Sequence, residues 1–317
     1  MSLMSSPALI RTMTGPHELD LFLSVPYSLN HELADDLSAG RRRTEWMWMA
    51  LVDGNVVARL AWWANPGERS PLLLDIFDIA DSSDPAHVLA ASNLLETATR
   101  HVVGREAEPP RYIRYVPPDW RLNESSRQQV EAVVGIAEQT GARVFVERLR
   151  FEWRKGTPIA PPSRRLEFRR PRDDDEILGL MTAAVAGSLD AHTLLDRETM
   201  SAEEAAREHF FGELAQQISP RANWRVATDH TGATVGFVTP GHNHYHPVIG
   251  YVAVLPEHRG NGYIHDILTA GTRILADQGA DHIRAATDLT NLPMAAAFER
   301  GGWINFERSI NMTWESR

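Results

Sequence analysis

Two apolar runs flank Asp53-Gly54-Asn55 between Glu45 and Trp63, a pattern that predicts two strands joined by a tight turn. The same pattern returns between Asn223 and Pro240, with its turn at Thr231-Gly232. A proline-led apolar run follows each pair, Pro71 to Phe77 and Pro247 to Val254, and each leads into helical spacing, over 85–103 and 263–278. Short strands are then predicted at 111–116 and 282–287, and helices at 126–140 and 293–300. Both series close on Glu-Arg and a Trp-bearing strand, Glu147-Arg148 to Trp153 and Glu307-Arg308 to Trp314. Six elements in matching order read as a tandem duplication, against the plainer reading that any two mixed α/β domains look loosely alike.

Gly156 to Ser163 carries three prolines and reads as a stiff, exposed linker. The predicted organisation is therefore a first domain at 1–155, a linker at 156–163 and a second domain at 164–317. The expected fold class is α/β, each domain having a central mixed, mostly antiparallel sheet flanked by helices. In the second domain Leu166-Glu167-Phe168 reads as a strand. Asp173 to Glu176 suits a helix start, and Ser201 with Glu204 forms a capping box ahead of a helix over 202–215. Met1-Ser2-Leu3, ahead of a second methionine at Met4, is expected to be a cloning remnant and is set aside.

Composition narrows the function. The 317 residues are 43% hydrophobic and 23% charged, an ordinary globular balance. A net charge of −10 argues against a nucleic-acid partner. With no cysteine there is no disulfide framework, thiol nucleophile or thiolate metal site. The chain lacks a run of about 18 apolar residues, so no membrane partner and a cytoplasmic location are expected; the oligomeric state stays open.

The informative stretch runs from Val252 to Leu268, a strand passing through a glycine-bearing turn directly into an amphipathic helix. Gly260 and Gly262 let backbone amides approach a ligand, and the helix start adds unpaired N–H groups suited to a phosphate. It is neither a Walker loop nor GxGxxG, and taken alone it is equally a simple turn. As a whole the string resembles motif A of the GNAT acetyltransferase superfamily, Q/R-x-x-G-x-G/A after a strand ending in Val-x-Pro. Arg259, Gly260, Asn261, Gly262 and Tyr263 fit, while Ile264 stands where Gly or Ala is usual. Asn291 to Trp303 resembles the family's second motif. The likeness extends from Leu166 onward and reaches the first half only through topology.

The resemblance implies an acyl-CoA donor, most simply acetyl-CoA; no metal is expected, because no cysteine or acidic cluster completes a coordination shell beside the histidines of 242–246. Val252 and Val254 would pair with the pantetheine arm, and the amides of Arg259, Gly260, Asn261, Gly262, Tyr263 and Ile264 would receive the pyrophosphate. His258 would meet CoA phosphates or solvent. Asn291, Met294 and Phe298 would lie beside the arm and thioester, although Asn291 also suits a helix N-cap and the other two suit plain core packing. The corresponding turn of the first half, Asp78 to Pro85, has three aspartates and no glycine, so no donor site is expected there.

GNAT enzymes commonly use a Glu on the fourth strand as base and a Tyr in the last helix as acid. Gly250 and Phe298 occupy about those positions here. Three substitutes present themselves: Tyr251 on the same strand; Asp288, equally a capping carboxylate; and His246, from the cluster His242-Asn243-His244-Tyr245-His246, equally a solvated hairpin. Arg41-Arg42-Arg43 and Arg164-Arg165 read as solvated surface, with a contact to the CoA 3′-phosphate or an acidic acceptor as the alternative. The expected function is transfer of an acetyl group from acetyl-CoA to a small-molecule amine. The alternative is an acyl-CoA-binding pseudoenzyme with a sensing or assembly role.

Overall fold

The computed structural model describes residues 7–104 and 107–314; Met1 to Met4 lie outside the described residues. The chain forms two compact units. One comprises the chain up to Glu147 together with the segment from Arg308 onward; the other is Arg148–Glu307.

The first unit contains β1 (Leu9–Thr12), α1 (Leu19–Phe22), α2 (Leu33–Ser38), β2 (Met47–Val52), β3 (Asn55–Trp63), β4 (Leu73–Ile79), α3 (Pro85–Val102), β5 (Arg111–Val116) and α4 (Glu124–Gln139). Asp53 and Gly54, at φ 50° and 83°, make the left-handed turn that a two-residue hairpin between β2 and β3 requires. Trp48, Trp62, Phe77 and the Ala90-Leu94-Ala98 stripe of α3 build the core on one sheet face. Phe22, Leu33, Met47 and Ile76 build it on the other. Each large apolar side chain so buried contributes about 1.5–3 kcal/mol.

Parallel β4 and β5 pair only at Leu73↔Arg111 and Leu74↔Tyr112. Charged side chains occupy the region beyond. Asp78 binds both Arg59 and Arg114, and all three are buried. Arg114 also lies over the Tyr27 ring, 4.2 Å from its centroid. Arg41 and Arg42, expected at the surface, are instead buried on Asp36, and Arg42 reaches Asp75 with two bonds of 2.7 Å. Their guanidiniums satisfy buried carboxylates that would be costly to leave unpaired.

The second unit contains β7 (Glu167–Arg169), α5 (Asp174–Val185), α6 (Ala191–Thr199), α7 (Ala202–Gly212), β8 (Arg225–Thr228), β9 (Thr234–His242), β10 (Pro247–Val254), α8 (Tyr263–Asp277), β11 (His282–Asp288) and α9 (Leu292–Arg300). The local signals hold. Asp173 accepts from the Glu176 amide at 2.8 Å, and both bonds of the Ser201–Glu204 capping box form. The hydrophobic pattern does not announce α6: it has no buried residue, hence no apolar stripe to betray its period.

The boundary read from the sequence and the packed units differ by one strand each way. β6 (Arg143–Arg154) ends the first half of the chain, yet its Arg148–Arg154 segment pairs with β11 in the second unit, Phe151 opposite Ala285. β12 (Ile304–Thr313) ends the second half, yet from Arg308 it pairs with β5 in the first unit, Ile310 opposite Arg114. The strand order is β1-β2-β3-β4-β5-β12 in one unit and β6-β11-β10-β9-β8-β7 in the other. Similar closing strands let each half complete the other's sheet. Residues 156–163 follow this exchange and lie on the second unit, where Thr157 donates to the Arg154 carbonyl at 2.9 Å and Ile159 packs on the core.

In the second unit β10 is antiparallel to β9, with a register irregularity between Ile249 and Val252. Its parallel pairing with β11 is confined to Val248↔Arg284. Beyond that point the strands part. One face of this sheet is covered by α8 and α9, through Ile267, Leu268 and Phe298. The other is covered by α5 and α7, through Ile177, Met181 and Phe210. No helix among the described residues is long and apolar enough to cross a membrane.

Candidate functional site

A cavity of about 460 Å³ opens where β10 leaves β11, and it is lined from both faces of the sheet. Its walls are Ile249 to Val254 on β10 and Ala285 to Thr287 on β11. Among the described residues, the β10 edge beyond Val248 has no strand partner on this side, so its backbone polar groups face the cavity.

On the α8–α9 face the cavity meets the strand-to-helix turn. Gly260 and Gly262 adopt φ 82° and 73°, in the left-handed region, with open space where a Cβ would stand. Gly262 is the N-cap of the fifteen-residue α8 and supplies no side chain to it. Among the described residues the amides of Gly260, Asn261, Gly262, Tyr263 and Ile264 donate to no partner, so the positive end of the helix stays open to an anion. The contrast with α3 is chemical. Asp84 caps α3 through the Ala86 amide at 2.8 Å, and Asp81 takes the Ser83 amide at 2.9 Å. That turn is filled by its own carboxylates.

The side chain of Arg259 is committed to structure. It donates to the carbonyls of Ala184, Ala186 and Gly187 at 2.6–3.0 Å and to Val254 at 3.1 Å. The first three carbonyls lie at the C-terminal end of α5, where helical partners are lacking, and the fourth ends β10. Asn261 does not line the cavity; its amide turns back to the His258 carbonyl at 3.1 Å. Val252, Val254, His258, Tyr263, Ile264, Asn291, Met294 and Phe298 do line it. Asn291 also caps α9, accepting from the Met294 amide at 3.3 Å. Phe298 is both wall and core, 1% exposed and stacked on Phe151. Arg165 lies beside this turn, over the Tyr263 ring and donating to the Asn261 carbonyl at 3.0 Å.

On the α5–α7 face the polar lining groups are Arg148, Ser188, Asp190, Thr193, His209 and Tyr251. Tyr251 stacks on Phe237 and meets His209 edge-on, ring centroids 5.1 Å apart. Burial pushes its hydroxyl pKa up to about 12, so it remains protonated at neutral pH. Burial works against the Asp190 charge, but Arg148 and the Thr193 amide outweigh it and hold its pKa below the ordinary value.

Two expected catalytic groups are elsewhere. Asp288 is buried behind the wall, accepts from the Ala191 amide at 2.6 Å and pairs with Arg148 at 3.0 Å. Burial raises its pKa, yet its oxygens serve the start of α6 and Arg148. His246 sits before the closed end of the β10–β11 pair, 3.2 Å from His282 and bonded to Arg284, and does not line the cavity. Its cluster is a hairpin turn, with Asn243 Oδ1 accepting from the Tyr245 and His246 amides. Asp190, His192 and Asp288 do bring one ligand atom each within 4.8 Å of one another, but Arg148 already supplies a cation to both carboxylates.

At Gly250 a Cβ would meet Gln217 Nε2 at 2.1 Å, so Gln217 holds the space a fourth-strand side chain would use. The sequence reading missed Arg148, Asp190, Thr193 and His209. Asp190 followed by Thr193 carries a capping signal that marks a helix start there. Nothing local marks the other two.

Residues 165–304 match the acetyltransferase (GNAT) domain family. The second half of the chain therefore carries a GNAT acetyltransferase domain. A GCN5-related N-acetyltransferase from Sphaerobacter thermophilus is similar in fold, with a TM-score of 0.59 at 14% identity over 98% of this chain and 96% of that one. A tandem GNAT protein from the clavulanic acid biosynthesis pathway is similar over 98% of this chain and 99% of its own, with a TM-score of 0.51 at 14% identity. No curated protein matches the chain significantly in sequence. The GNAT family match lies in the second half of the chain, which carries the open helix start.

Proposed function

We propose that the chain is a cytoplasmic N-acetyltransferase that moves the acetyl group of acetyl-CoA to a small-molecule amine by direct attack. The observation carrying this reading is the uncapped start of α8, with its left-handed glycines, at the mouth of a cavity bounded by the unpaired edge of β10. Pyrophosphate would take the free amides of 260–264, and the pantetheine amides would pair with the β10 backbone near Val252 and Val254. Arg165 would face the phosphates. The amine would enter from the α5–α7 face, where charged and hydrogen-bonding side chains gather. Tyr251 has the protonated hydroxyl suited to meet the departing thiolate. The first unit has no donor site in this reading, because buried ion pairs occupy its strand divergence and carboxylates fill its turn.

The second reading, an acyl-CoA-binding pseudoenzyme, is favoured by Gly250 with Gln217 over it and by the non-acidic ring of Phe298. Thiol release with a panel of primary amines, run on protein first shown to bind CoA, separates the two. Turnover with any amine supports the enzyme; binding without turnover supports the pseudoenzyme.

A further inference from the structure

The strand position next to the thioester carries no base, so the proton of the attacking amine needs another acceptor. Among the groups lining the cavity from the α5–α7 face, Arg148 is a permanent cation, and Ser188 and Thr193 are neutral hydroxyls. Asp190 is tied to Arg148 at 3.4 Å and to the Thr193 amide at 2.9 Å, as the cap of α6. Tyr251 stays protonated. That leaves His209, on α7. Its imidazole lines the main cavity and also a second chamber of about 30 Å³, bounded by His192, Thr193, Asp196 and Tyr251. A water needs about 10–15 Å³ and several polar partners, and this chamber offers both. Among the described residues, nothing hydrogen-bonds to the buried Nε2 atom of His209. The groups facing the ring are Glu213 on its own helix at 3.7 Å, Tyr251 on β10, and His192 and Asp196 from α6.

We propose that His209 is the base that takes the proton from the acceptor amine, relaying it through water in the adjoining chamber. The inference rests on the acetyltransferase reading. The neutral amine attacks the thioester carbonyl, the new C–N bond forms, and the nitrogen gives one proton to His209. The C–S bond then breaks, and the thiolate takes a proton from Tyr251. Tyr251 recovers it from the imidazolium through the chamber, so the sum is amine plus thioester giving amide plus thiol.

The test is thiol release by the full chain across pH 5.5–9, with the best amine of the panel. His209→Gln should lower kcat about 10²-fold at pH 7, leave KM for acetyl-CoA unchanged, and remove the acidic limb of the kcat profile. A weakly basic fluorinated amine, neutral at the assay pH, should still show the loss, because the proton is released after attack. Unchanged kcat with the same limb overturns the inference and leaves the acetyltransferase reading standing. A wild-type chain that binds CoA but turns over no amine overturns both. Should the variant not fold, NMR titration of His209 in the wild type replaces it. A midpoint matching the acidic limb supports the assignment, and a mismatch overturns it.

Discussion

The ring of Phe298 stacks on that of Phe151, centroids 4.8 Å apart and planes 19° from parallel. Phe298 belongs to α9, beside the cavity, and Phe151 to the strand that ends the first half of the chain. The wall of the site is therefore supported by sequence from the other half. Phe151→Ala should cost about 3–5 kcal/mol of the second unit's stability. Denaturant titration followed by thiol release measures it, and a loss under about 1 kcal/mol contradicts this support role.

Phe298→Tyr tests where the leaving group departs. The ring is packed against Phe151 and Trp303, and Tyr251 already offers a protonated hydroxyl, so the variant should show no gain in turnover. A gain of tenfold or more would move the departing sulfur to α9. Tyr251→Phe should lower turnover about 10–10²-fold with little change in CoA affinity.

Arg259 holds the end of α5 to the turn that precedes α8. Arg259→Gln should free both segments, weaken CoA binding about tenfold and speed amide exchange after residue 184. Calorimetry and hydrogen exchange read the two effects. Unaltered exchange would mean that the clamp is dispensable.

Glu176 offers a pH test. The Arg169 guanidinium and the Arg172 amide hold its carboxyl at about 2, against an ordinary value near 4.5. A depressed folded pKa contributes stability that is fully present above the unfolded value and is lost as pH falls through the folded one. Wild type should exceed Glu176→Gln by about 1 kcal/mol at pH 6, after allowance for solvent screening, and the difference should vanish between pH 4.5 and 2.

What was legible in the sequence was local. The turn at Asp53-Gly54, the capping box at Ser201 and the glycines of 260–262 act within a few residues, and each stands where its spacing places it. Which strand closes which sheet is a long-range choice between two similar segments, and no local pattern encodes it. The histidine cluster forms the hairpin that its composition allowed, but its distance from the cavity was not legible, because only the single Val248↔Arg284 pairing decides which end of the strands opens. His209 and Arg148 reach the cavity from a helix and a strand far apart in sequence. Arg41 and Arg42 look like surface charge until Asp36 and Asp75 are seen beside them.

Calorimetric titration of the full chain with CoA tests the central claim most directly. One CoA should bind per chain, and Gly262→Asp should weaken it at least about 100-fold while the fold survives. Aspartate tolerates the left-handed backbone and open space surrounds the position, yet its charge sits at the anion site. Two CoA molecules per chain, or full affinity in the variant, would contradict a single donor site at the start of α8.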